Sequence, residues 1–404
     1  MAFQQGLSGL NSASRNLDVI GNNIANANTV GMKASRAEFA EIYANSINAS
    51  GSSTTGLGVS VAAVTQSFTQ GNITITGNGL DVAINGNGFF ELTNPDGSLS
   101  YSRAGQFKLD RNGDIVTNQG RQLMGYPTDP DGNRLSFEST PLSLPTGGAI
   151  PAQQTAEISA EFNLDARAAV AATATPPTPI TTYGTSLIAF DPQGLEIPVA
   201  LAFEKAANNQ WNVYTSVNGA DPALSTPFTI SFLQDGSLDP ATVVPPITLT
   251  SPNDPTLTFP ATLNFSNVTQ FGSNFAVTNL SQDGYRPGEL TSLKIEDTGV
   301  VTARYSNGES RAAGQISLVD FRNSQGLAPM GGGAWSMTFE SGDPVRGGPG
   351  EGKLGFLRSG AVEDSNVDIT FELVSMMTAQ RSYQANAQTI KTQDQVLSTL
   401  LNMR

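Results

Sequence analysis

The sequence predicts a mixed, mainly β fold, with two or more β domains nested by insertion and an α-helix at each terminus. Three observations predict it. Apolar residues recur at steps of three and four at both ends of the chain, and short alternating runs separated by Gly, Asn and Asp turns fill the interior. Two turn-rich shifts in composition, near Thr140–Gly148 and Ser281–Gly288, divide that interior.

The N-terminal stripe is Phe3, Leu7, Leu10, Leu17 and Ile24, with Ser14 and Gly21 at the intervening positions. The C-terminal stripe is longer: Ile369, Leu373, Met376, Tyr383, Ala387, Ile390, Leu397 and Leu401, interrupted by Gln380 and Asp394. Stripes of this kind usually face the core of their own domain. Here they sit at the two extremes of the chain, outside the β region. A helix with a narrow apolar seam is not satisfied in water, so both ends are expected to order fully only where neighbouring chains cover them.

The hairpins follow in order. Gly88–Tyr126 alternates apolar and polar residues between turns; SLIAF and LEIPVALAF flank Asp191–Gly194; WNVYTSV begins at Trp211; SLKIE and VVTARYS flank Asp297–Gly299. No fixed period relates them, which argues against a solenoid or propeller. The expected organisation is an N-terminal helix over 1–30, a connecting segment over 31–70 with a polar loop at Asn45–Gly56, and an inner β domain formed by 71–144 and 283–358. An outer β domain is inserted over 145–282, with proline-dense stretches inside it, and a C-terminal helix closes the chain over 359–404.

Composition narrows the function. Among 404 residues, 35 are acidic and 21 basic, and the net charge of −14 disfavours nucleic acid or an anionic membrane as partner. With no Cys and no His, disulfides, thiolate nucleophiles, His bases and most zinc or copper sites are excluded. The first eighteen residues lack a basic start and an unbroken apolar run, and nothing approaches a membrane span of roughly 20 apolar residues. Abundant Gly, Pro, Ser, Thr and Asn suit a bacterial surface protein, so export without a cleaved signal is expected. Two calcium-like strings, Asp110–Asp114 and Asp129–Asn133, lack the Gly and bidentate Glu of a calcium loop and read as turns. A carboxylate glycosidase remains the rival of a different class, but most Asp sit in turn motifs. No catalytic, cofactor or metal residues are assigned, and an adhesin built from the β domains leaves the terminal seams unexplained.

The segment Gly21–Lys33, GNNIANANTVGMK, places Asn22, Asn23, Asn26 and Asn28 at a helix end, where Asn suits caps and amide networks. This string resembles the N-terminal signature of the bacterial flagellar rod and hook family. SNVD at Ser365–Asp368 and the run from Glu372 to Leu397, including Gln380, Arg381, Gln384 and Asn386, resemble that family's closing helix, and Gly79–Leu92 with the YSRAGQFKLD hairpin is similar to its first β domain. Met32 stands where the family usually has an aromatic residue. Length and the insert favour the hook branch over the shorter rod subunits, with the distal rod as runner-up. The resemblance implies that the terminal helices pair as a coiled coil around a channel, inside stacked β domains of a hollow, bendable tube. Such a channel needs a hydrated wall, and Asn22, Asn23, Asn26, Gln380, Gln384, Asn386 and Gln388 supply neutral polar groups suited either to it or to contacts between subunits. The resemblance also implies a place in the hook of the flagellar basal body, outside the cell. Implied partners are further copies of the chain, the hook cap, rod and hook–filament junction proteins, and the flagellar export apparatus.

Overall fold

The computed structural model of the chain describes residues 2–42, 58–144, 149–174 and 178–402. Helix α1 spans Ala2–Ala25 and helix α2 Ile369–Asn402. α1 ends on asparagine: the Asn26 backbone and side-chain N–H groups both donate to the Asn22 carbonyl, and Thr29 donates to the Asn26 amide oxygen. Asn competes with the backbone and stops the helix there. α2 opens on Asp368, whose carboxylate accepts from the Thr370 and Phe371 N–H groups, with Glu372 in the first turn. Both effects satisfy the positive end of the helix.

The chain divides into two compact units, Met1–Gly147 with Ser292–Ala303 and Ser310–Arg404, and Gly148–Thr291 with Arg304–Glu309. In the first, an antiparallel run of strands lies in the order Ser310–Ile316, Gln122–Tyr126, Phe89–Thr93, Leu99–Ser102, Ala334–Ser336, Ala328–Gly331. Strand alternation sends Phe90 and Leu92 into a core with Val82, Ile84, Phe107, Leu123 and Leu318. Phe89 goes to the other face, into an aromatic cluster with Phe68, Tyr101, Phe321 and Trp335. The C-terminal part of the chain returns to the start of the domain, because Phe356–Ser359 pairs with Val82–Asn85 and Ala361–Glu363 pairs with Ile73–Ile75.

The second unit has a four-stranded antiparallel sheet, Tyr183–Phe190, Glu196–Ala207, Gln210–Val217 and Phe228–Ser231, and a second sheet centred on Glu157–Asp165. Both supply one core around Phe162, Leu201, Phe203, Trp211 and Phe265. The buried Trp211 indole donates to Gln270.

Two differences from the sequence reading concern the connections. The segment expected as a connector carries an antiparallel hairpin, β1 (Ser35–Ile42) and β2 (Gly58–Gln66); the polar loop Asn45–Gly56 lies outside the described residues. The C-terminal helix begins at Ile369, not 359, since Ala361–Glu363 is committed to a strand and Asp368 supplies the cap. As the sequence predicts, the two calcium-like strings are turns, whose first carboxylate is taken by local backbone, Asp110 by Arg111 N–H and Asp129 by Asn133 N–H.

Candidate self-assembly site

α1 and α2 pack against each other within the first unit. Their contact is made by small residues. A Cβ added at Gly9 would stand 2.8 Å from the Asn386 amide, and one at Gly6 would stand 3.1 Å from Ile390 Cγ1. Gly6, Ala13, Ile20 and Asn23 are buried on α1, and Ala379 is buried on α2. Gly6, Gly9, Ala13, Ile20 and Asn23 also recur at heptad steps, but each precedes a member of the sequence stripe or its Ser14 and Gly21 gaps by one residue. One residue is a rotation of about 100° on a helix. On α1, Phe3 and Leu7 therefore lie round the helix from the contact that joins the pair, while Ile20 and, from α2, Ile390 take part in it.

Phe3, Leu7, Ile369, Leu373, Tyr383 and Leu397 are exposed, between 38% and 48%. Leu10, Leu17, Ile24, Met376 and Ile390 are half-buried, and the side chain of Leu401 lies outside the described residues. α2 exposes more apolar surface than the stripe alone, adding Phe371, Val374, Met377 and Val396. These four stand off the heptad and so escaped the periodicity argument. An exposed apolar surface of this extent marks an interaction face.

The polar signature residues divide. Asn22 and Asn28 on the N-terminal side are exposed, as are Gln380, Arg381 and Gln384 on α2. Asn386 is half-buried, against Gly9. Asn23 corrects the channel-wall expectation: it is 1% exposed and spent inside the chain. Its amide donates to the Ser35 carbonyl at 2.8 Å and to Glu372 Oε1 at 3.0 Å, and accepts from the Ser35 N–H at 2.9 Å.

Two further side chains, not singled out from the sequence, bind the chain's ends together. Asn366 of the SNVD string accepts from the Ala34 N–H at 2.7 Å and donates to the carbonyls of Ser67 and Thr69. Glu363 is fully buried and meets Lys33 Nζ at 2.6 Å, Arg103 at 3.0 Å and the Gly71 N–H at 2.9 Å. Lys33 also donates to the Thr69 carbonyl, and Arg103 to the Gly86 carbonyl, while Arg103 Nε has no partner. Burial holds both cations below their ordinary values, against the opposing pull of Glu363. The two cations share one buried carboxylate, with the charge of Asp320 also acting on Arg103. Periodicity carries no signal for charges so far apart in sequence.

The other buried carboxylates are equally occupied. Glu91 pairs with Arg346 at 2.7 Å, Asp81 accepts from Thr76 and Asn78, and Asp191 accepts from Ser251 and the backbone of its own turn. They brace turns and strands.

Against known proteins, the chain is 43% identical to the flagellar hook protein FlgE of Escherichia coli over the full length of both chains. The chain belongs to the flagellar hook protein family. The hook protein FlgE of Rhizobium meliloti is 34% identical, over all of this chain and 98% of its own. Family models match in the order of the fold: flagella basal body rod protein over 3–33, the flagellar hook protein FlgE/F/G D1 domain over 83–163, the flagellar basal body protein FlaE D2 domain over 163–285, and the flagellar basal body rod FlgEFG protein C-terminal region over 358–403. The crystal structure of Helicobacter pylori flagellar hook protein FlgE2 shares the fold, with a TM-score of 0.53 at 14% identity over 72% of this chain and 99% of its own. The two basal body rod models cover α1 from Phe3 onward and the whole of α2, where the apolar surface lies open.

Proposed function

We propose that this chain is the structural subunit of the bacterial flagellar hook, self-assembling into a hollow, flexible helical tube that acts as a universal joint between motor and filament. The observation that carries this reading is a helix pair that packs closely at Gly6, Gly9 and Ala13 yet leaves Phe3, Leu7, Ile369, Phe371, Leu373 and Leu397 exposed. Such side chains gain burial only from other copies. A head-to-tail contact that does not close generates a filament, and the family relatives named hook protein along their full length set its identity. In this reading the stripe residues from Phe3 to Ile24 and from Ile369 to Leu401 form the contacts between subunits. Asn22, Gln380 and Gln384 are the neutral polar groups available to a hydrated channel.

The domain roles belong to the same proposal: an inner β domain carries the helices, and the insert forms the outer domain. The chain has no catalytic task, because its buried carboxylates are committed to structural partners. Its partners are copies of itself, the hook cap, the rod and hook–filament junction proteins, and the export apparatus. No helix among the described residues is long and apolar enough to cross a membrane. Electron microscopy of purified protein after induced polymerisation tests the reading. Curved hollow tubes are expected; straight rods would favour the distal rod instead, and absence of any polymer would overturn both.

A further inference from the structure

We infer that Glu363 is a shared clasp which makes the exits of both terminal helices one cooperative element, so that the two exits are released from the β body of the first unit together or not at all. The argument is geometric. Glu363 is the last residue of the strand that leads towards α2, and its carboxylate holds Lys33 from the segment following α1. It also accepts from Gly71 N–H, at the far side of the β1–β2 hairpin, while its backbone carbonyl accepts from Gly31 N–H at 2.8 Å. Arg103 ties the same carboxylate to Gly86, on the loop leading into the central sheet. One side chain thus meets every segment by which the terminal helices enter and leave the body.

Close packing leaves these segments no independent route of release. Glycine 31 stands against backbone, with Ala104 N 2.4 Å from where a Cβ would lie, and Gly71 is as close to the Asp364 carbonyl. A second layer outside the first repeats the arrangement, with Asn366 joining Ala34, Ser67 and Thr69 across the two ends of the chain. Opening at Lys33 alone would remove the nearest of the three donors on the Glu363 carboxylate, and opening at Glu363 would strand two buried cations. Breaking a buried pair on one side is strongly unfavourable, so the segments open as a set.

The consequence for a tube rests on the hook reading: bending is absorbed beyond the clasp, in the turns and between subunits, and not at the helix exits. The coupling itself does not rest on that reading and is testable in the soluble monomer. Amide exchange at Gly31 and Gly71 in the full-length chain is the measurement, with Lys33→Met as the perturbation. Lys33→Met leaves the neutral Glu363–Arg103 pair in place, so the chain still folds. The expected result is one exchange rate for both glycines in the native chain, and acceleration of both by the same factor, about tenfold or more, in Lys33→Met. The strand Phe89–Thr93 keeps its protection. Acceleration at Gly31 with Gly71 unchanged, or no change at either, would overturn the clasp. If Lys33→Met does not fold, the native chain decides alone: rates at Gly31 and Gly71 that respond differently to low urea overturn it, and rates that move together support it. A normal clasp in a chain that fails to form tubes would refute the hook reading and leave the coupling standing.

Discussion

Leu373→Asp separates the assembly surface from the fold. Leu373 is 48% exposed on the isolated helix pair and touches neither β core. Covering its remaining half in a polymer contributes about 1 kcal/mol, half the value of fully burying a leucine. Placing an unpartnered polar group there adds a penalty of about 2 kcal/mol. The sum of about 3 kcal/mol raises the critical concentration roughly 100-fold, at about 1.4 kcal/mol per factor of ten. Sedimentation of polymer across a concentration series measures it. Trp335 in the first unit and Trp211 in the second are both buried, so indole fluorescence follows melting of the β domains in the same samples. Unchanged assembly, or a fluorescence midpoint displaced by more than a few degrees, would refute the reasoning. Leu92→Asp is the contrasting control, since Leu92 is 1% exposed and its substitution should unfold the first unit.

Glu363→Gln leaves Lys33 and Arg103 buried without a counter-charge and should cost about 3–5 kcal/mol in urea unfolding followed at Trp335, whereas Lys33→Met leaves a neutral pair and should cost under about 2 kcal/mol. Burial alone would raise Asp191, but the Ser251 hydroxyl and the N–H groups of Leu195 and Gln193 outweigh it and hold the carboxyl below its ordinary 3.8. A depressed carboxyl contributes stability that is present above 3.8 and lost as pH falls through the folded value. Asp191→Asn should therefore lower stability at neutral pH by about 1.5–3 kcal/mol and flatten the acid limb of a Trp211 melting curve; an unchanged acid limb would contradict it. A chain joined across residues 145 to 281 should keep its terminal helices and still polymerise, with altered curvature in electron micrographs. Loss of all assembly while Trp335 fluorescence stays native would count against an outer-domain role for the insert.

The helices were legible because Leu7, Leu10, Ile369 and Leu373 declare their period, and the hairpins because their turns carry Gly, Asn and Asp. The face that joins the helices was not. Gly6, Gly9 and Ala13 have no hydropathy signal, and close approach of two backbones looks in sequence like a weak seam. β1 was missed because its alternation of Ala37 and Phe39 is broken at Ala40, beside the register shift against β2 between Glu38 and Phe39. Asn23 read as a polar surface residue, since an amide that bridges a helix, a strand and a second helix has the same letter as one facing water. Lys33, Arg103 and Glu363 come together only when the C-terminal strand pairs with Ile73–Ile75, and no local pattern announces that pairing.

The central claim is that the terminal helices owe their order to neighbouring subunits, and amide exchange compared between monomer and tube tests it most directly. The account predicts rapid exchange across α1 and α2 in the monomer, with strong protection of the same amides in the assembled tube. The β strands should be protected equally in both. Helices as slow to exchange in the monomer as in the tube would contradict it.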